Sequence, residues 1–211
     1  MPPPFCLRAA LYVLASMIFA PCFLGANTLV KPSISAENWS RLEAGEAVVL
    51  SGSEGKERKA LAAVLVPYPA PAVWRVIEDK EGAVHWCEGL REARVTETGE
   101  NYSLVYQEMK VCFLPGTFKY VIRHTESVPQ RRVDFKRESG SFKMLEGYWE
   151  LYPVAEGTRT LLLYQLAVDP GIPVPARVVK DSLEKSLPEA LVSLREQVAL
   201  GESARIGAVP Q

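Results

Sequence analysis

The chain has 211 residues, 24 of them basic and 25 acidic, for a net charge of −1, and 48% of it is hydrophobic. Nucleic-acid binders gather a basic excess on one face, so this balance sets that class aside. The length fits a single domain.

Residues 1–26 carry one charge, Arg8, ahead of the apolar run "AALYVLASMIFAPCFLGA". Positive, then apolar, then small is the order of a secretory signal peptide. Cleavage is expected after Ala26, which makes the folded protein periplasmic or secreted. A membrane anchor is the alternative, but the run is short and contains Pro21, whereas a spanning helix wants about 20 apolar residues. Pro21 directly before Cys22 also fits a lipidation signal poorly. Without residues 1–26 the chain keeps 23 basic and 25 acidic residues, and of its four cysteines only Cys87 and Cys112.

Residues 27–56 read as an N-terminal extension of one helix and one hairpin. "SAENWSRLEAG" gives the helix, with Ser35 as N-cap and Gly45 just beyond its end. Apolar runs at 47–50 and 60–66, separated by the turn-rich Ser51–Gly55, read as a hairpin or one long interrupted strand. In "PAPAVWRVIEDKEGAVHWCEG" the period changes: Val73, Trp74, Val76 and Ile77 form a helical face, with Pro71 in the first turn. A second short helix covers Gly82–Trp86.

From Leu90 the period returns to that of strands, expected near 90–98, 102–113, 117–125, 131–137, 146–153 and 160–168. Val178, Leu183, Leu187, Leu191, Leu194 and Val198 then lay an apolar stripe along a helix from about 175 to 199, interrupted by Pro188. Residues 201–211 read as a flexible tail. The order is α+β, with a strongly curved antiparallel sheet closing around one helix and space between them.

Four segments carry a resemblance to a known superfamily. "VLVPYPAPAVWRVIED" resembles its first strand and following helix. "GSFKMLEGYWELYPV" and "GTRTLLLYQLAVDPGIPVP" resemble its last two strands, and "LPEALVSLREQV" the body of its final helix. The superfamily is the helix-grip, or SRPBCC, group: START lipid-transfer domains, birch-pollen-allergen-like proteins, polyketide cyclases and coenzyme Q-binding proteins. The resemblance implies a START-like domain over 57–200, with about seven strands gripping the C-terminal helix around an apolar tunnel. One departure stands out. Where lipid-transfer relatives often carry an acidic-basic string, "CFLPGTFKYVIR" has Thr117 and Lys119.

Strand alternation selects the residues that would wall such a tunnel. Phe118, Tyr120 and Ile122 share one face, with Lys119 and Arg123 on the other. Val133 and Phe135 face inward against Arg132, Asp134 and Lys136, and Gly147, Trp149 and Leu151 against Glu146 and Glu150. The last strand offers Leu162, Tyr164, Leu166 and Val168. Trp86 and the helix residues Leu183, Leu187 and Leu191 join them. Each aromatic also suits a plain core; the set is more informative than its members. Tyr106, Tyr120 and Tyr164 are the candidate polar anchors, since tyrosine can bury its ring while offering a hydroxyl.

Reactive groups are scarce. His85, beside Trp86 at the expected tunnel mouth, is the acid–base candidate if the protein is an enzyme; His124 falls late in a strand and reads as structural. Neither a metal-ligand cluster nor a phosphate loop is present in the sequence, and no cofactor is expected. Lys119, Arg123, Arg132 and Lys136 form an outer basic patch that can meet anionic membrane or simply be a solvated face.

An even cysteine pair in an oxidising compartment suggests a disulfide. A Gly99-Glu100 turn, with glycine first, would pair Thr98 with Asn101 and set Cys87 opposite Cys112. The expectation is therefore an exported protein that binds and carries a lipid, sterol, isoprenoid or quinone. The alternatives are a polyketide cyclase- or dehydratase-like enzyme using the same tunnel, and an accessory module of a membrane complex.

Overall fold

The computed structural model describes residues 33–51, 58–111, 116–129 and 131–207. Helix α1 (Ala36–Glu43) starts at Ser35, whose Oγ accepts from the Asn38 N–H at 3.2 Å, and Gly45 follows its end at φ +89°. A side-chain oxygen meeting an otherwise orphaned N–H is what makes serine a good cap.

Strands β1 (Val48–Ser51) and β2 (Lys59–Val66) form a hairpin rather than one interrupted strand, pairing Val48 with Ala63. Helix α2 (Ala70–Glu78) and a 3₁₀ helix (Gly82–His85) follow. Six strands come next: β3 (Leu90–Thr98), β4 (Tyr102–Met109), β5 (Phe118–Ser127), β6 (Arg132–Gly140), β7 (Met144–Val154) and β8 (Arg159–Asp169). All eight strands make one antiparallel sheet in the order β1-β2-β8-β7-β6-β5-β4-β3. The fold is the expected α+β helix grip with one strand more than anticipated.

The chain closes with helix α3 (Ala176–Gly207), which runs on through the stretch read as a tail from residue 201. Glu202 explains the extension. It takes ion pairs from Arg75 of α2 and from Arg205 one turn on, so Gly201 weakens the helix without ending it.

Two cores lie on opposite faces of β2. Ala60, Ala62, Val64 and Val66 face α3, where Leu187, Leu191 and Leu194 are at most 1% exposed. Ala63 and Leu65 face outward, with Leu161 and Leu163 of β8, and are covered by Leu42 of α1 together with Val48 and Tyr152. Burial on both faces is why "ALAAVLV" is apolar without alternation.

The β3–β4 turn differs from the expectation. The Gly99 N–H donates to the Tyr102 carbonyl at 2.8 Å, so Glu100-Asn101, not Gly99-Glu100, forms the turn. Gly99 is needed for close approach: a Cβ there would lie 2.1 Å from Tyr102 Cε1. Irregularities in β3 at Arg91 and Thr96 then shift the register by two, so that Leu90 pairs with Met109 and the Lys110 N–H meets the Gly89 carbonyl at 2.8 Å. Cys112 lies outside the described residues.

Candidate functional site: an aromatic-lined cavity

The inner face of the sheet is not filled along its whole width. Helix α3 seats on β2 and β8, and toward β3–β7 a cavity of about 120 Å³ remains under α2 and the 3₁₀ segment. Its wall comes from Ile77, Lys80, Ala83, Trp86 and Cys87 on the covering side. The sheet contributes Leu90, Gln107, Met109, Tyr120, Ile122, His124, Phe135, Leu145, Trp149, Tyr164 and Leu166.

The aromatics are ordered. Trp149 and Tyr164 are partners across β7 and β8 and stack at 3.7 Å with planes 3° apart. Trp86 meets Trp149 edge-on at 6.1 Å, and Phe135 lies 6.1 Å from Tyr164. Gly147 makes room for this: a Cβ there would sit 2.0 Å from the Gln165 carbonyl oxygen and 2.6 Å from Phe135 Cζ. Burial raises the Tyr120 and Tyr164 phenols well above their ordinary value, so both stay protonated. Among the described residues the Tyr120 hydroxyl reaches only Met109 Sδ, at 3.8 Å. Burial, with Glu88 adding to it, pushes the Cys87 thiol up to about 11.

One end of the cavity is polar. Lys80, its side chain 5% exposed, donates to Glu126 Oε1 at 2.8 Å. Beside it, burial and the Lys80 charge lower His124 to about 3, so its imidazole is neutral. Neither His124 nitrogen has a partner among the described residues, and the same holds for the hydroxyl of Ser103, its register partner on β4.

Of the residues expected to wall a tunnel, Trp86, Tyr120, Ile122, Phe135, Trp149, Tyr164 and Leu166 meet around the cavity. Phe118, Leu151, Leu162, Leu183, Leu187 and Leu191 belong to solid core instead; Phe118 stacks on Phe142 at 4.7 Å. The hollow therefore lies under α2 and the 3₁₀ segment and takes no lining residue from α3.

Tyr106 requires the plainest correction. It points to the outer face, where its hydroxyl donates to Glu108 Oε1 at 2.5 Å and Arg94 sits 5.4 Å over its ring. A cation over the ring and an acid at the hydroxyl hold it there without burial. His85 also lies outside the cavity, in a surface groove with Glu88 and Arg91.

A larger hollow, about 500 Å³, is an open groove on the outer face lined by Arg123, Arg132, Lys136 and Tyr148. Its cations are already paired: Arg123 with Glu138 at 3.0 Å, Arg132 with Asp134 at 2.7 Å, and Lys136 with Glu146 at 3.8 Å. Lys119 likewise holds Glu108 at 2.5 Å. The expected basic patch is thus largely neutralised, and exposed paired charges offer a ligand little. Among the described residues no cluster of three or more His, Cys, Asp or Glu is placed to hold a metal ion.

Residues 66–195 match the family described as polyketide cyclase / dehydrase and lipid transport. The chain belongs to that family. No curated protein matches it. Three solved structures of the same fold align with this chain over most of their own length. A START superfamily protein from Mycobacterium smegmatis is 16% identical, with 67% of this chain and 97% of that one aligned at a TM-score of 0.60. A STAR-related lipid transfer protein from Xanthomonas axonopodis is 16% identical, covering 72% and 92% at 0.60. An aromatase/cyclase from Streptomyces is 19% identical, covering 70% and 93% at 0.55. At these identities the likeness to this polyketide cyclase and lipid transport family member is one of fold.

Proposed function

We propose that this protein binds and carries an apolar or amphipathic small molecule whose leading ring enters the Trp149–Tyr164 cavity. The single observation that carries the reading is a space walled by aromatic side chains on the inner face of the sheet. Burial of apolar surface drives entry, at about 25 cal/mol per Å² before the cost of association. Names of fold relatives that mention lipid transfer point the same way.

Size refines the proposal. A cavity of about 120 Å³ has room for one ring or a short chain segment; drug-sized sites run to roughly 300–1,000 Å³. A whole lipid or sterol therefore requires the wall to move. The wall best placed to do so is the segment from Val84 to Arg91, because Trp86, Cys87 and Leu90 line both the cavity and a surface groove.

Acid–base catalysis is less well supported. His124 at about 3 is a poor base near neutral pH, and His85 is outside the cavity. The order of Arg8 and the apolar run in residues 1–26 supports export, to the periplasm or beyond; those residues lie outside the described ones. No helix among the described residues is long and apolar enough to cross a membrane.

Solvent extraction of the purified protein followed by mass spectrometry tests the reading. The expected result is an intact apolar molecule in near-stoichiometric amount. A protein that yields none, and whose tryptophan fluorescence is unmoved by titration with apolar ring compounds, overturns it.

A further inference from the structure

The polar end of the cavity has hydrogen-bonding capacity that nothing in the described protein uses. His124 is 9% exposed and lines the cavity, yet both ring nitrogens are unpartnered. Ser103, opposite it in the β4–β5 register, is 7% exposed and its hydroxyl is also unpartnered. Buried polar groups are nearly always bonded, because an unbonded one loses its water without replacement. Two neighbouring exceptions, His124 in the cavity wall and Ser103 behind it as its register partner, point to a missing partner at this end.

The chemistry of that partner follows from the groups. A neutral imidazole presents one donor and one acceptor, and the serine hydroxyl can do either. The neighbouring cation is not free to bind an acid, since Lys80 is engaged by Glu126 at 2.8 Å. A carboxylate would thus bring an uncompensated charge into a buried site. A carbonyl would only accept. A hydroxyl donates and accepts, and carries no charge.

We infer that His124 and Ser103 form the hydrogen-bonding subsite for a neutral hydroxyl group on the leading ring of the molecule that enters the cavity. The inference rests on the cavity reading above, and the test separates the two.

Phenol and toluene have nearly the same shape, and an apolar cavity alone prefers toluene because phenol must give up hydration at its hydroxyl. Calorimetric titration of the purified protein is expected to show the reverse. Phenol binds about tenfold tighter than toluene, the ratio that one net hydrogen bond supplies, and benzoate binds weakest. In His124→Leu the preference inverts while toluene binding persists, and in Ser103→Ala it narrows.

The chain has only two histidines, so ring-nitrogen NMR of the unaltered protein reads His124 directly, even if the leucine variant fails to fold. Phenol is expected to move that resonance and toluene to leave it. Toluene binding as well as phenol, or benzoate binding best, overturns the hydroxyl subsite and leaves the cavity reading standing. Binding of none of the three counts against the cavity itself.

Discussion

Trp149 and Tyr164 oppose each other across β7 and β8 and lie face to face, 3.7 Å apart with planes 3° from parallel. The pair forms the floor of the cavity, so one substitution bears on both packing and binding. Trp149→Ala is expected to cost about 3–5 kcal/mol in urea unfolding, the range for truncating a buried aromatic. Tyr164→Phe keeps the stack and is expected to change stability by less than about 1 kcal/mol. Equal losses in the two variants would show that the hydroxyl, not the ring contact, matters.

Gly147 is the next point of leverage. Its missing Cβ leaves room for the Gln165 carbonyl oxygen, which a methyl would approach to 2.0 Å. Backbone cannot yield as a flexible side chain does, so Gly147→Ala is expected to destabilise by about 1–3 kcal/mol or more. A melting temperature equal to that of the unaltered protein would contradict this packing.

His124 predicts a pH dependence. Its folded value of about 3 lies below the ordinary 6.5, so the unfolded chain takes up the proton first as pH falls. The contribution is complete above about pH 6.5 and is lost toward pH 3, with a limiting slope of about 1.4 kcal/mol per pH unit. Denaturation at a series of pH values should show a shallower slope in His124→Leu than in the parent. Parallel curves would place the imidazole in solvent.

The Lys80–Glu126 pair is unevenly buried, with side chains 5% and 25% exposed. Removing the acid strands a buried ammonium; removing the lysine leaves an acid that still reaches water. Glu126→Gln is therefore expected to cost about 3 kcal/mol, the low end for breaking a buried pair. Lys80→Met should cost clearly less, measured by urea midpoints. The reverse order would sink this account.

Sequence reading also predicts a Cys87–Cys112 bridge in the exported protein. Non-reducing peptide mapping should recover the two cysteines in one linked species. Reduction should then lower stability by roughly 3 kcal/mol through loop-closure entropy. Two free thiols in the mature protein would refute it.

Much of the sheet was legible because alternation is a reliable physical signal where one face is buried. It placed Tyr120, Ile122, Phe135 and Trp149 inward, where they lie. Carried two residues further along β5, the same alternation puts His124 inward, and the site's polar end could have been found that way. Strand β4 misled at Tyr106, which faces outward with Tyr102 and Leu104. Arg123 sits 4.4 Å over the Tyr102 ring and Arg94 5.4 Å over that of Tyr106, which replaces burial with cation–ring contact. The position of the hollow was not legible at all. It depends on α3 settling against the small alanines of β2, a long-range packing choice that no local pattern encodes.

The outer layer of α1 and β1 has a practical consequence. The family match begins only at residue 66, yet β8 pairs with β2 from Lys59 to Val66 and hides Leu161 and Leu163 beneath α1. A fragment cut at the family boundary would leave β8 with an open edge and an oily flank. Such an edge recruits other strands, so the shortened protein should self-associate even though its ligand chamber is intact in sequence.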